Sequence, residues 1–378
     1  MLEDWPRALP AEAQLYLRPV GLLRADTAAA LIAAGQARLL AGGPLAFPSC
    51  EVILRRGAET RRAVASLPEL RRWAGTAPPP LGETVERRLD LLTRPRREVG
   101  ARPQLMGILN ATPDSFSDPG EDLDPAAAMD HARELIAAGA AILDIGGEST
   151  RPGAQAVAPE TEIRRVDPLL RGLAAERARL PGLRLSIDTR RAAVMRHALA
   201  LGVDLINDVS ALTDDPESLA VAAASRARVV LVHKQGDPAT MNVAPRYGDV
   251  ALDVFDALEE RIAACAAAGI ERARLILDPG IGFGKRSAEN LEILRSLSLY
   301  HGLGCPLLLG FSRKALIGGE QRRLEPKQRL PGSLAAAMHA LDQGVQMLRV
   351  HDVAETRQVV DLWAEIHAPA PGRTAPKA

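Results

Sequence analysis

From about residue 104, short apolar runs alternate with longer amphipathic stretches that are rich in alanine. This alternation predicts repeated βα units, in which a buried strand is followed by a helix. Eight apolar runs occur, at 104–110, 140–145, 183–188, 205–207, 229–233, 275–278, 306–309 and 347–350. Eight units in about 265 residues favour the α/β class and a (β/α)8 TIM barrel, whose usual length is about 250 residues. A doubly wound open sheet is the alternative architecture.

Boundary signals support this division into strands and helices. Asp124-Pro125 offers an N-cap followed by proline at the first helical position, and the segment 352–355 (Asp-Val-Ala-Glu) predicts a capping box. Several predicted strands are preceded by the residue type that commonly ends helices in the left-handed conformation. These glycines are Gly139, Gly202, Gly269, Gly304 and Gly344.

Residues 1–100 do not share the alternation and are predicted to form an N-terminal α+β extension of the barrel. The pattern predicts strands at 14–20 and 51–55 and a helix at 26–34. Because no polar cluster occurs in it, a packing or oligomerisation role is favoured over a second active site.

A proline-rich linker at 77–80 and an arginine-rich helix at 83–94 follow, within a connecting region at about 76–100. The barrel is predicted to occupy 101–368, and residues 369–378 are predicted to be a disordered tail.

Charge and cysteine content exclude several classes of function. The 47 Lys+Arg residues balance the 47 Asp+Glu residues, which argues against nucleic-acid binding through a net positive field. Cys50, Cys265 and Cys305 form no CxxC motif, so neither a disulfide framework nor a zinc site is predicted. No apolar run approaches the ~18 residues of a membrane span, and the acidic N-terminus has no apolar signal region. We therefore expect a cytoplasmic protein that does not bind membranes.

Polar residues concentrate where the predicted strands end, which is where TIM barrels carry their active sites. They are Asn110, Asp144, Glu148, Asp188, Asn207, Asp208, His233, Asp278, Ser312, Arg313, Lys314, Arg349 and His351. Some have a structural alternative, since Asp188 could cap a helix, and Asp278 and the pair at 207–208 could form turns. Together, however, acceptor-rich side chains on one rim need hydrogen-bond partners. A flat heterocycle rich in N–H donors would supply them.

The cations after the last two predicted strands indicate a phosphate site. Arg313-Lys314 and the Arg349-Val-His351 segment lie where this fold frequently binds phosphate, although each arginine could instead be a solvated surface residue. Two loops, at 110–120 and 146–153, have the small residues, prolines and hydroxyls of loops that close over substrates. Gly282-Phe-Gly-Lys285 lacks the spacing of a nucleotide-binding P-loop.

Seven ordered motifs resemble the dihydropteroate synthase family, over residues 102 to about 367. They are MGILNATPDSFSD at 106–118, DIGGESTRPG at 144–153, IDT at 187–189, IND at 206–208, DPGIGFGK at 278–285, SRK at 312–314 and RVHD at 349–352. The resemblance implies a pterin-binding TIM barrel that joins 6-hydroxymethyl-7,8-dihydropterin diphosphate to p-aminobenzoate and releases diphosphate. It also implies a homodimer.

The resemblance assigns a role to each matching residue. The pterin-binding residues it implies are Asp188, Asn207, Asp278, Lys314 and Arg349. For diphosphate they are Asn110, Thr150, Arg151, Arg349 and His351, with Mg²⁺ as cofactor held by Asn110. For p-aminobenzoate they are Thr150, Pro152, Ser312 and Lys314, with a helix N-terminus expected after Ser312. The implied catalytic residues are Asp188, Lys314, Arg349 and His351.

Two other functions are compatible with a pterin-binding barrel. A methyltransferase that uses a methylated folate would hold the pterin with a similar set of acids and amides, but it would not need the diphosphate cluster. A non-catalytic pterin-binding paralogue would be expected to lack a loop or phosphate residue. The motifs here retain both, which favours the synthase.

Overall fold

The computed structural model describes residues 13–76, 79–96, 102–111, 125–148, 157–236, 245–318 and 324–368. Within these ranges the strands are β1 Gln14–Val20, β2 Leu23–Arg24, β3 Arg38–Leu39, β4 Leu45–Phe47, β5 Ser49–Arg56, β6 Glu59–Ser66, β7 Gln104–Asn110, β8 Ile142–Gly146, β9 Arg184–Asp188, β10 Leu205–Asp208, β11 Arg228–Val232, β12 Leu275–Asp278, β13 Leu308–Leu309 and β14 Met347–Val350. The α-helices are α1 Ala29–Ala33, α2 Leu67–Thr76, α3 Pro79–Thr93, α4 Pro125–Ala137, α5 Pro159–Glu176, α6 Ala192–Ala200, α7 Ser218–Ala224, α8 Val250–Ala267, α9 Ser287–Arg295, α10 Leu330–Asp342 and α11 Val353–His367.

The last eight strands form a parallel barrel, as the alternating pattern predicts. Their order is β12-β11-β10-β9-β8-β7-β14-β13, so each strand from β7 to β11 pairs with the next one along the chain. A parallel bridge between Leu277 and Leu307 joins β12 to the residue before β13 and closes the circle. The predicted TIM barrel is confirmed, and the alternative of an open doubly wound sheet is wrong.

Helices surround the barrel because both faces of a parallel strand must be buried. The helical residues that face the strands belong to one large apolar core, which includes Leu170 of α5, Val194 of α6 and Phe255 of α8. The glycines expected to end helices or precede strands, Gly139, Gly202, Gly269, Gly304 and Gly344, all have positive φ values. No helix in the described ranges has the length and hydropathy to cross a membrane.

The N-terminal extension contains two small antiparallel sheets. One has the order β1-β5-β6 and the other the order β2-β4-β3. The predicted strands at 14–20 and 51–55 are confirmed, whereas the helix expected at 26–34 is limited to α1. Helix α3 already begins at Pro79, so the second half of the expected linker at 77–80 is helical. Proline suits the first position of a helix because its missing N–H would have no partner there.

The extension packs against one side of the barrel, at α8 and at the 3₁₀ segment Leu297–Leu303. Phe255 of α8 is 1% exposed and lies at the centre of this contact. Its ring meets Tyr16 of β1 edge-on at 5.3 Å and Tyr300 at 6.5 Å. The Arg88 guanidinium of α3 lies 4.9 Å from the Phe255 ring centroid. The extension and the barrel therefore share one continuous core.

Of the two expected helix starts, one differs from the structure. Asp352 is the N-cap of α11, but its side chain does not accept a backbone hydrogen bond, so the capping box expected at 352–355 is wrong. The Asp352 carboxylate instead pairs with Arg313, with Oδ2 3.0 Å from Nε. The N-cap proposed at Asp124 lies outside the described residues, although α4 does begin at Pro125. The tail at 369–378 also lies outside them.

The shared core predicts that the extension and the barrel unfold together. Phe255→Ala should lower the free energy of unfolding by about 4 kcal/mol, because it opens a cavity between the two parts. The measurement is denaturant unfolding followed by circular dichroism, with hydrogen exchange read separately over β5 and β9.

Leu362→Ala is the control, since Leu362 is 57% exposed on α11 and its truncation should change stability by no more than about 0.5 kcal/mol. Two separate unfolding transitions in the Phe255→Ala variant, with the barrel as stable as in the parent, would contradict a shared core.

Candidate active site

The barrel interior consists of an apolar layer beneath a polar one. The apolar layer contains Met106, Ile142, Leu205, Val209, Val230, Val232, Ile276, Leu308 and Met347. Because alternate side chains of a strand share a face, the residues two positions beyond Ile142, Leu205, Ile276 and Met347 also point into the barrel. Those residues are Asp144, Asn207, Asp278 and Arg349. The polar layer therefore lies at the carboxyl ends of the strands, above a packed apolar floor.

Arg349 joins the polar side chains of three strands. Its Nε donates to Asp144 Oδ2 at 2.6 Å, and its Nη2 donates to Asp188 Oδ2 at 2.6 Å. Asn207 Nδ2 donates to the same Asp144 oxygen at 2.8 Å. Asp144 is completely buried, and a buried carboxylate is stable only with partners of this kind. One cation thus holds two acids and, through Asp144, an amide in fixed positions.

Some acceptors of this layer have no partner among the described residues. Asp144 Oδ1 and Asn207 Oδ1 are both buried without a hydrogen bond, as is the hydroxyl of Ser186 two positions before Asp188. A buried polar group without a partner costs about 1–3 kcal/mol. A ligand that carries several N–H groups would satisfy the two carbonyl-type acceptors when it enters the barrel mouth.

Asp278 and Lys314 complete the layer on its other side. Asp278 Oδ1 accepts a hydrogen bond from Gly280 N at 2.7 Å. A Cβ atom on Gly310 would lie 3.6 Å from Asp278 Oδ2 and 3.8 Å from Arg349 Cβ, so the acid and the arginine flank this glycine. Lys314 Nζ donates to the Ile281 carbonyl and lies 4.4 Å from the Phe283 ring centroid. The lysine therefore rests on the turn that follows β12.

Burial controls the charge state of these groups. It raises the pKa of Asp188, against the opposing influence of Arg349, and it raises the pKa of Asp278, against that of Lys314. Burial also lowers the pKa of Lys314 to about 8, although Asp278 partly offsets that effect. Carboxyl groups of this kind can gain or lose a proton when a ligand enters, which is typical of active sites.

Ser312 and His351 are brought together from the last two βα loops. The Ser312 hydroxyl accepts a hydrogen bond from His351 N at 3.2 Å and lies 3.1 Å from His351 Nδ1. The helical segment after Ser312 is the short 3₁₀ segment Ala315–Gly318, and among the described residues the next α-helix, α10, begins at Leu330. Arg313 adopts a left-handed backbone conformation there, with a φ of 58°.

Several polar residues at the strand ends pair with other residues of the chain, so they are not part of the polar layer inside the barrel. Glu148 forms an ion pair with Arg190, with Oε2 3.0 Å from Nε. Asp208 accepts hydrogen bonds from the Ser210 and Leu212 backbone, which is the turn role left open for it. Arg313 pairs with Asp352, so of the expected phosphate-binding pair at 313–314 only Lys314 lies beside Asp278.

A buried lysine explains why the Gly282–Lys285 segment is not a phosphate loop. Lys285 Nζ lies 2.9 Å from His233 Nδ1, 2.9 Å from the Gly280 carbonyl and 3.1 Å from the Phe283 carbonyl. Burial lowers the pKa of Lys285 to about 7 and holds that of His233 well below its usual value. Lys285 therefore fixes the turn after β12 to the end of β11.

The remaining predicted residues divide by location. Asn110 ends β7 and is half-buried, and its side chain forms no hydrogen bond with any residue that the structure describes. Thr150, Arg151 and Pro152 lie outside the described residues, as do most of the two loops expected to close. Sequence reasoning missed the pairing role of Asp144 and the Phe283 ring under Lys314. Both residues lie in the family motifs at 144–153 and 278–285, but neither pairing is visible in the sequence.

Comparisons with known proteins by sequence and by structure agree on the family of this chain. The family model of the pterin binding enzymes matches residues 106–351. A dihydropteroate synthase of Escherichia coli (strain K12) is 44% identical over 256 residues, which are 68% of this chain and 89% of that protein. The chain belongs to the dihydropteroate synthase family. A dihydropteroate synthase from Neisseria meningitidis serogroup B is 45% identical over 71% of this chain and 94% of its own length.

Solved dihydropteroate synthases share the barrel. The Xanthomonas albilineans enzyme with 4-aminobenzoic acid has 47% sequence identity and a TM-score of 0.65, over 71% of this chain and 94% of that one. The Yersinia pestis enzyme with a sulfonamide drug complex has 43% identity and a TM-score of 0.66, over 71% and 95%. The family match begins at residue 106, so the extension lies outside it.

A buried glutamate on α5 is expected to make the stability of the fold depend on pH. Glu162 of α5 is completely buried, and neither carboxyl oxygen has a partner with good hydrogen-bond geometry among the described residues. Burial raises its pKa to about 7, although the nearby Thr189 hydroxyl has the opposite influence. Between about pH 4.5 and pH 7 the folded chain retains a proton that the unfolded chain has lost, so Glu162 makes stability fall as pH rises.

Glu162→Gln should remove this pH dependence. Relative to the parent, the variant should gain up to about 3 kcal/mol of stability between pH 4.5 and pH 8, measured by denaturant unfolding. Glu160→Gln is the matched control, because Glu160 is exposed on the same helix. A parent stability that rises over this pH range relative to the Glu162→Gln variant would show that Glu162 is ionised.

Proposed function

We propose that this chain condenses 6-hydroxymethyl-7,8-dihydropterin diphosphate with p-aminobenzoate to give 7,8-dihydropteroate and diphosphate, a transferase reaction of folate biosynthesis. The polar layer of Asp144, Asp188, Asn207 and Asp278 around Arg349 is the observation that carries the proposal. Family membership supports it, since the related Xanthomonas albilineans enzyme has been solved in complex with 7,8-dihydropteroate.

In this proposal the pterin enters the barrel mouth and lies on the polar layer. Asp188, Asn207 and Asp278 accept hydrogen bonds from its N–H groups, and Lys314 donates to its carbonyl oxygen and ring nitrogen. The partnerless Asn207 Oδ1 supports this role, since it is buried in the layer. The Arg349 guanidinium stacks on the pterin face, a contact for which its planar group is suited.

Asn110, Thr150, Arg151, Arg349 and His351 are proposed to hold the diphosphate. Mg²⁺ is proposed as the cofactor, bound by Asn110 together with phosphate oxygens and water. The described residues contain no group of three His, Cys, Asp or Glu that could hold a metal. They fit Mg²⁺ nonetheless, because this ion is usually bound through one or two protein oxygens plus substrate phosphates. When bound, the ion would neutralise negative charge on the diphosphate.

The second substrate, p-aminobenzoate, is proposed to bind at Thr150, Pro152, Ser312 and Lys314. The contact between Ser312 and His351 supports a site in which the two substrates meet, since it joins the proposed p-aminobenzoate and diphosphate residues. The carboxylate would be held by the Ser312 hydroxyl and by backbone near Lys314. Among the described residues, the helical segment that follows is a 3₁₀ segment of four residues, Ala315–Gly318, whose dipole is short.

The chemistry needs stabilisation of charge more than a strong base. The bond between the exocyclic methylene carbon and the diphosphate oxygen breaks first, and its electron pair leaves with the diphosphate. Arg349 and His351 stabilise this leaving group, and Asp188 stabilises the cation on the pterin. The amine of p-aminobenzoate then forms the new carbon–nitrogen bond and releases its proton to solvent. A homodimer, which the family resemblance implies, and the cytoplasmic location expected from the sequence pattern are further parts of the proposal.

The direct test supplies the purified protein with the pterin diphosphate, p-aminobenzoate and Mg²⁺. Diphosphate release and dihydropteroate are measured with each component left out in turn. Product that requires both substrates is the expected result, and a chelator should abolish it. Pterin binding without product would instead favour a non-catalytic pterin-binding protein, and methyl transfer from a methylated folate would favour the methyltransferase.

Asp188→Asn should lower kcat by about two orders of magnitude, because the neutral amide no longer stabilises the developing cation. Stability should change little, since Arg349 retains its contact with Asp144. Steady-state kinetics and thermal unfolding measure the two effects.

Asp208→Asn is the matched control, because Asp208 ends the neighbouring strand but faces away from the barrel interior, towards Ser210. This variant should lose stability and keep its kcat. An Asp188→Asn variant that turns over at the parent rate would remove Asp188 from the mechanism.

A further inference from the structure

The extension contacts a row of carboxylates that begins at the N-cap of α8 and continues along one face of the helix. The row consists of Asp249, Asp253, Asp256 and Glu259, which follow one another at helical spacing along one face. Each has a partner in the extension. Arg62 Nη2 lies 2.5 Å from Asp249, Arg55 Nη1 2.6 Å from Asp253, the Tyr16 hydroxyl 2.8 Å from Asp256, and Arg88 Nη1 2.6 Å from Glu259.

The N-terminal end of this row contacts the last residues of the loop between β11 and α8. Asp253 Oδ2 accepts hydrogen bonds from Gly248 N at 2.7 Å and from Asp249 N at 3.3 Å. A Cβ atom on Gly248 would lie 3.8 Å from Arg55 Nη2, so the arginine borders the loop itself. Arg55 and Arg62, both on the β5–β6 hairpin, therefore clamp the last residues of the loop.

The clamped segment is bonded in turn to the turn at 280–285, which follows β12. The Tyr247 hydroxyl donates to the Gly284 carbonyl at 2.8 Å, and Arg286 Nη2 donates to the Pro245 carbonyl at 3.2 Å. A Cβ atom on Gly284 would lie only 2.3 Å from the Gln235 carbonyl oxygen, so the two loops touch through their backbones.

The turn at 280–285 is the surface on which Lys314 rests. Its Ile281 carbonyl accepts a hydrogen bond from Lys314 Nζ, and its Phe283 ring lies 4.4 Å below the same atom. A Cβ atom on Gly282 would lie 3.2 Å from Lys314 Cδ, so the lysine stem also packs on the turn. The contacts thus run without interruption from the extension to the polar layer.

We propose that Arg55 and Arg62 of the extension are positioning residues for the synthase reaction, which set the place of Lys314 through Asp249, Asp253 and Tyr247. In this proposal the extension contributes to the geometry of the active site, although it lies outside the family match. Arg88 is excluded from this role, because it pairs with Glu259 further along the same helix and has no hydrogen bond to the described residues of the loop. This inference rests on the proposed function, because Lys314 matters only if it contacts the pterin.

The test compares the double variant Arg55→Met/Arg62→Met with Arg88→Met. The double variant should raise the KM for the pterin diphosphate about fivefold and leave kcat within about twofold, the size typical of coupling through packed contacts. Hydrogen exchange should quicken over 245–249 and 280–285. Arg88→Met should lower the melting temperature and leave both the KM and the exchange of these segments unchanged. Arg55→Lys/Arg62→Lys should restore most of the parental KM.

Tyr247→Phe provides a second break in the same path without touching the extension. It removes the hydroxyl that bonds Gly284, so it should quicken exchange over 280–285 and raise the same KM. The inference is overturned if the double variant exchanges as the parent does, or if Arg88→Met raises the KM equally. Exchange needs no substrate, so a parent without turnover would refute the proposed function, while the exchange result would still decide whether the extension holds the turn.

Discussion

The ion pairs of Arg349 with Asp144 and Asp188 determine the architecture of the barrel mouth. The buried carboxylate of Asp144 and the half-buried one of Asp188, on neighbouring strands, would repel each other and lose hydration unless a cation lay between them. Arg349 meets this need from β14, across the intervening β7. The strands must therefore close around it. Gly310 borders the arginine, because a Cβ atom there would be in van der Waals contact with both Arg349 and Asp278.

The same constraint explains how the site can recognise an uncharged heterocycle. Arg349 occupies one oxygen of Asp144 and one of Asp188 and leaves Asp144 Oδ1 without a partner. The acids are thereby fixed in place before a ligand arrives, so little side-chain entropy remains to be lost on binding. Because Lys314 has a pKa of about 8, it can remain a donor while its charge responds to the ligand.

The sequence was sufficient to predict the barrel and a polar set of residues at the strand ends, but not the pairing within that set. Strand positions followed from apolar runs, and the motif residues fell at the strand ends. The contact of Asp144 with Arg349 depends on barrel closure, which brings together residues 205 positions apart. In the extension, β6 was missed because its sequence, ETRRAVAS, is polar and arginine-rich, as exposed edge strands often are. Two-residue strands such as β2 are too short to show any period.

The charged residues of β6 include one with a partner on the barrel that cannot be identified from the sequence alone. Arg62 is an ordinary surface arginine by composition, yet it faces the N-cap of a barrel helix. An isolated exposed ion pair contributes little stability. A row of four partnered acids along α8, packed beside the buried Phe255, differs because the helix cannot shift without breaking several contacts together. The extension thus fixes the position of α8, and α8 begins at the loop that borders the site.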